Sequence, residues 1–162
     1  ELCSGPQMPG GARLALGGNA MQEGNFAKGF FIEPTVFTDV AMDMRIAQEE
    51  IFGPVVAVLK AKSLEDAIAK ANGVKYGLSS SIYTQDVNSS AIAERDLDAG
   101  IVYINAPTIG AEIQLPFGGA KKSGLGRKEA GGRGGALDMF TRWKVIYRDF
   151  SGTLQKAQIS ED

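Results

Sequence analysis

The chain has 162 residues, 44% of them apolar and 22% charged, with a formal net charge of −2 and no histidine. Such a chain is long enough for one soluble domain with a real core. Catalysis by an imidazole of this chain is excluded, the single cysteine excludes an internal disulfide or a cysteine-rich metal site, and the acidic balance gives no reason to expect nucleic acid or an anionic membrane as partner. No apolar run approaches the roughly 18 residues of a transmembrane helix. The opening residues lack the basic and apolar stretches of a signal peptide, so a cytoplasmic location is the expectation.

Residues 1–11 are rich in Gly and Pro and read as a lead-in. Arg13–Leu16 is a short strand closed by Gly17-Gly18, and Gly24-Asn25 is a turn. Phe30–Phe37 is aromatic and β-branched but contains Pro34, which makes it an edge or irregular strand. Asp43 opens a short helical stretch to about Glu50. Pro54–Ala61 is an apolar run suited to a strand buried on both faces. Ser63 is an N-cap for a helix with Leu64, Ala67, Ile68 and Ala71 on one face, ended by Gly73. Leu78–Tyr83 is a strand. Asp86 to Leu97 is a second helix with Ala91, Ile92 and Leu97 inward, ended by Gly100, and Ile101–Ile104 is a third strand. Glu129–Phe140 reads as a glycine-weakened helix. Trp143–Phe150 alternates as a last strand.

Strand, helix, strand, helix, strand at this spacing predicts an α/β fold with a mostly parallel sheet and flanking helices. Ligands in such sheets bind beyond the carboxyl ends of the strands, and the loop after Ile104 lies at one such end. Glycine is abundant, 21 residues against a typical share of about 7%. Many lie between Gly118 and Gly135, where close backbone approach or positive φ is expected.

Three segments carry chemistry. In Glu49-Glu50-Ile51-Phe52-Gly53-Pro54-Val55 a paired carboxylate precedes an aromatic residue and a Gly-Pro turn. Neighbours on a helix diverge by about 100°, so one glutamate can face solvent while the other faces a site. A solvated helix end followed by a core phenylalanine is the plainer alternative. This heptapeptide resembles the EEIFGPV signature of the aldehyde dehydrogenase superfamily. The resemblance implies that Glu50 holds the hydroxyls of the nicotinamide ribose and that Phe52 packs near the nicotinamide. Both roles suit the groups, since a carboxylate accepts two hydroxyl hydrogen bonds and a ring face restricts a neighbouring ring.

Pro116-Phe117-Gly118-Gly119 with Lys121, Ser123-Gly124, Gly126 and Arg127 resembles the PFGG-x-K-x-SG-x-G-R segment of the same family. Taken alone it is a flexible basic loop, and Gly131-Gly132-Arg133-Gly134-Gly135 contains one RGG triplet. A single RGG without interleaved aromatics in an acidic chain does not make an RNA-binding segment. No P-loop and no Rossmann glycine fingerprint occurs. The third segment, Asn105-Ala106-Pro107-Thr108-Ile109-Gly110-Ala111-Glu112, resembles the loop of the family branch acting on semialdehydes that carry a carboxylate. The resemblance implies that backbone N–H groups of Gly110 and Ala111 hold that carboxylate, a task suited to fixed donors. Ile109 and Phe117 would wall the aldehyde tunnel. An ordinary polar loop is the alternative. Tyr76-Gly77-Leu78, Ala99-Gly100 and Trp143–Tyr147 also fall where the family has its helix-to-strand turns and its last strand.

The resemblance runs from about Gly11 to Phe150. It implies the C-terminal part of a catalytic domain (1–142) and an oligomerisation strand with tail (143–162), in an enzyme using NAD or NADP on a small aldehyde and assembling as a homo-oligomer. The family's nucleophilic cysteine lies in a G-Q-x-C-type segment and its general base in an E-L-G-G-type segment. Neither occurs here, so no catalytic residue is expected in this chain. Cys3, in Leu2-Cys3-Ser4-Gly5, stands in the wrong motif, and Glu112 and Glu129 lack a supporting one. The chain alone is expected to be inactive without the N-terminal portion. A non-catalytic binding or assembly module of the same fold is the alternative.

Overall fold

A computed structural model describes residues 11–110, 112, 115–124 and 135–152. Its first half is built on a three-stranded sheet of β1 (Arg13–Leu16), β4 (Thr35–Thr38) and β5 (Val55–Ala57), in the order β1-β4-β5. β1 runs antiparallel to β4, with Leu14 opposite Phe37, and β5 runs parallel to it, with Val56 opposite Val36. Between β1 and β4 a small ribbon of β2 (Ala20–Met21) and β3 (Phe31–Ile32) folds over a 3-10 turn at Gly24–Lys28. The rings of Phe26 and Phe31 meet edge to face there, 5.4 Å apart.

Phe30–Phe37 is therefore two strands rather than one at an edge. Pro34 has no N–H to give a ladder, and the chain breaks at Glu33-Pro34. Beyond the break, β4 is the centre of its sheet, because Thr35 resumes hydrogen bonding at once through its N–H to the Pro54 carbonyl, 2.8 Å. The Thr35 hydroxyl, fully buried, accepts from the Gly18 N–H and donates to the Glu33 carbonyl. That polar group is satisfied twice, which is what its burial requires. Phe37 is the largest fully buried side chain and packs with Ala12, Val40 and Ile46.

β5 departs from expectation. Only Val55–Ala57 are strand, and Val56 is 56% exposed. β5 is an edge strand whose outer face no described element covers. The short helix α1 (Arg45–Gln48) sits within the expected stretch but is capped by Met44 rather than opened by Asp43.

In the second half the two N-cap signals act as read, although the second helix stops at Asp96, short of Gly100. Ser63 caps α2 (Leu64–Asn72), its hydroxyl accepting from the Asp66 N–H, and Gly73 closes it. Asp86 caps α3 (Val87–Asp96) by accepting from the N–H groups of Asn88 and Ser89. The face of α3 is turned from the expected one: Ala93 is fully buried and Ala91 exposed. Asn72 joins the two helices, donating to the Asp96 carbonyl and accepting from the Asp98 N–H. Strands β7 (Ser79–Ile82) and β8 (Ile101–Ile104) pair in parallel through α3. β6 (Tyr76–Gly77) pairs antiparallel with β9 (Ala120–Lys121).

The protein is thus mixed α/β with flanking helices, as the pattern implied, but its strands form several small sheets. Among the described residues, parallel pairing is confined to β4/β5 and β7/β8, and β5 and β7 lie in different sheets. After α4 (Ala136–Phe140), Trp143–Phe150 does not form the expected strand. A ladder takes two strands, and none of the ladders reaches this segment, whose Tyr147 and Phe150 are almost wholly exposed. The first half of the expected helix Glu129–Phe140 lies outside the described residues, and α4 covers most of the second half. Among the described residues no helix is long and apolar enough to cross a membrane, and no group of metal-ligating side chains gathers.

Candidate functional site

The end of α1 separates the paired carboxylates. Glu49 leaves helical geometry and its side chain accepts from the Arg45 Nε at 2.7 Å, one turn back. Glu50 makes no such bond among the described residues. It is exposed and lines a cleft of about 530 Å³ with Asn72, Tyr76, Leu78, Ser79 and Ser123. Ile51 turns inward onto the core around Phe37. Three residues later the Pro54 carbonyl is fixed on β4, so the chain must reverse between them. Phe52 takes up that reversal at φ +54°, and the residue is 91% exposed. A left-handed aromatic residue costs roughly 1–2 kcal/mol, and nothing is buried by the ring in return. Backbone strain of this kind concentrates at functional sites. The plainer alternative of a core phenylalanine is thereby set aside. In kind, a carboxylate open to solvent and a displayed ring fit a ribose and a planar heterocycle. Phe52 does not line the cleft that holds Glu50.

A second cleft, of about 650 Å³, runs along β8 from Gly100 to Tyr103 and on into the loop beyond its carboxyl end. Tyr103, Ile109, Gly110, Glu112, Leu115 and Phe117 are among its walls. The loop that forms it is rooted by Asn105 at φ +54°, a conformation asparagine tolerates better than most residues. Its amide accepts from the Thr84 N–H and donates to the Thr84 carbonyl, and the Ser81 hydroxyl donates to the Ala106 carbonyl. At the tip the Tyr103 hydroxyl donates to the Gly110 carbonyl at 2.7 Å. Gly110 sits at φ +85°, open to glycine and strained for other residues. The structure therefore gathers Ile109, Gly110 and Phe117 in one place, apart from Glu50 and Phe52. Ala111 lies outside the described residues. Tyr103, Thr84 and Ser81 were not singled out by sequence, although an Asn directly after a strand is a usable turn signal.

The glycine-rich segment after Phe117 is a packed knot rather than a basic loop, as far as it is described. A side chain on Gly100 would strike the Gly118 carbonyl, and one on Gly119 would meet Ser123. The Ser123 hydroxyl accepts from the Gly77 N–H. Lys121 turns inward: its Nζ donates to the carbonyls of Asn72 (2.9 Å) and Val74 (3.2 Å) and lies 3.5 Å from Asp98. A cation there meets the negative end of α2. Gly126, Arg127, Lys128, Glu129, Arg133 and Cys3 lie outside the described residues.

With this geometry in hand, comparison with known proteins is decisive for the family. The family model for the aldehyde dehydrogenase family matches residues 7–146. The chain is 43% identical over 137 residues to an alpha-ketoglutaric semialdehyde dehydrogenase of Bacillus subtilis, covering 85% of this chain and 28% of that protein. It is 44% identical over 140 residues to an alpha-ketoglutarate semialdehyde dehydrogenase of Haloferax volcanii, covering 86% and 29%. Among solved structures, betaine aldehyde dehydrogenase of Staphylococcus aureus in complex with NAD+ superposes with a TM-score of 0.72 at 38% identity, over 76% of this chain and 24% of that one. The chain thus spans little more than a quarter of the length of these curated relatives, and over that span it belongs to the aldehyde dehydrogenase family.

Proposed function

We propose that the chain is the C-terminal portion of an NAD(P)-dependent aldehyde dehydrogenase that oxidises a carboxylated semialdehyde to the corresponding acid. The observation that carries this reading is the cleft along β8, where Ile109, Gly110 and Phe117 converge. Ile109 and Phe117 supply apolar walls for the aldehyde chain, and the backbone of Gly110 and Ala111 supplies fixed donors for its carboxylate. Glu50 accepts hydrogen bonds from the ribose hydroxyls, and the Phe52 ring limits the swing of the nicotinamide. When bound, the nicotinamide cofactor takes up a hydride.

Nucleophile and general base come from the portion carrying the G-Q-x-C and E-L-G-G segments, neither of which lies in these 162 residues. Residues 1–142 belong to the catalytic domain and 143–162 to an arm that pairs with another subunit, which accounts for the exposed Tyr147 and Phe150. The enzyme works in the cytoplasm as a homo-oligomer.

One observation favours a second substrate class. Glu112 lines the same cleft, and a carboxylate there suits a cationic aldehyde. A betaine aldehyde dehydrogenase of Mesorhizobium japonicum is 43% identical over 85% of this chain. The test of the main reading is NADH or NADPH production by the full-length polypeptide and by the 162-residue chain, side by side. Turnover of a carboxylated semialdehyde by the first and none by the second is expected. Turnover by the chain alone would refute the assignment of the catalytic groups to the other portion.

A further inference from the structure

The loop that walls the cleft along β8 is fastened at two places. Its root is held by Asn105 and Ala106, through Thr84 and Ser81. Its tip is held differently. Gly110 has open space where a side chain would be, and Ile109 beside it is 79% exposed. Packing therefore does little to fix the tip. Among the described residues, the hydrogen bond that Gly110 makes is the one its carbonyl accepts from the Tyr103 hydroxyl. Tyr103 itself is anchored in β8, opposite Ser81 in the ladder with β7. The ring thus carries the rigidity of a parallel strand pair out to a glycine with no other hydrogen bond among the described residues.

We infer that Tyr103 is a positioning residue for substrate recognition: its hydroxyl sets the orientation of the Gly110 peptide, so that the loop tip presents a fixed backbone to the substrate's carboxylate. This rests on the reading of the cleft as the site for a carboxylated semialdehyde. Its physical basis is preorganisation. A backbone donor contributes to affinity when it is already aimed, and a free tip must be ordered by each substrate that binds. The effect falls on recognition of the carboxylate and not on the chemistry at the aldehyde carbon.

Tyr103→Phe in the full-length enzyme isolates the hydroxyl and keeps the ring in place. With a carboxylated semialdehyde the expected result is a KM raised by about two- to tenfold, the worth of one neutral hydrogen bond. The kcat, the KM for the cofactor and the KM for an uncharged aldehyde of equal length stay as in the unaltered enzyme. An unchanged thermal midpoint shows that the fold is intact. A KM unchanged for the carboxylated substrate, or raised equally for the uncharged one, overturns the inference while leaving the substrate reading in place. An unaltered enzyme indifferent to the carboxylate overturns the substrate reading and this inference with it.

Discussion

Lys121 offers the most specific check on how the glycine-rich segment is built. Its ammonium group donates to two backbone carbonyls at the end of α2 and just beyond, at 2.9 and 3.2 Å, and its side chain is only 19% exposed. Hydrogen bonds to a charged group are worth about 1.5–3 kcal/mol. The two share one donor group and one is long, so they do not add fully. The Asp98 carboxylate at 3.5 Å is 57% exposed and adds under about 1 kcal/mol. The helix end adds a few tenths. Lys121→Met keeps the aliphatic stem and removes the donors, so the local loss is about 2–3 kcal/mol. Hydrogen exchange in the full-length protein reads that loss directly. Amides in the last turn of α2 and at Gly77 should exchange about 30- to 150-fold faster, provided they open locally. Lys122→Met, an exposed neighbour, should change little. Equal exchange in Lys121→Met and the unaltered protein would refute the cap, and a rise in both variants would show that charge alone is responsible.

Phe52→Gly should leave stability unchanged or raise it by up to about 1 kcal/mol, because relief of a positive φ outweighs the extra freedom of glycine in the unfolded chain. Cofactor affinity should fall at the same time, and a denaturation midpoint set beside a cofactor titration checks both. Acid should weaken the chain through Asp39, Asp66 and Asp86. The Lys60 hydrogen bond lowers the first, the Lys70 hydrogen bond the second and the Ser89 hydroxyl the third, each below its ordinary value of 3.8. The unfolded chain then binds protons more readily than the folded one, so this stability is present above that value and is lost as pH falls through the lower folded values. A urea midpoint that stays level down to about pH 4 and declines below it is expected, and a midpoint that rises on acidification would contradict it.

Features whose partners lie close in sequence were legible without the structure. Ser63 and Asp86 act within three residues, and the strand-helix-strand unit of β7, α3 and β8 follows from one short stretch. Pro34 was read as marking one edge or irregular strand, where the chain in fact breaks into two. Sequence could not say that β4 beyond it would be central, because its neighbours come from Arg13–Leu16 and Val55–Ala57. The inward turn of Lys121 was hidden for the same reason, since its acceptors lie 49 and 47 residues away. The exposure of Val56 and of Trp143–Phe150 depends on what stands beside them, which composition does not reveal. The candidate site divides likewise. Ile109, Gly110 and Phe117 were named through the family resemblance of two separate segments, whereas the Tyr103 hydrogen bond to Gly110 required the geometry.

The central claim is that the cleft along β8 selects an aldehyde by its carboxylate. The most direct measurement is the ratio of kcat/KM, in the full-length enzyme, for a carboxylated semialdehyde, an uncharged aldehyde of the same length and a cationic one. A preference for the carboxylated substrate of about tenfold or more is predicted, the worth of one charge-assisted hydrogen bond. Equal ratios, or a preference for the cationic aldehyde through Glu112, would contradict the account.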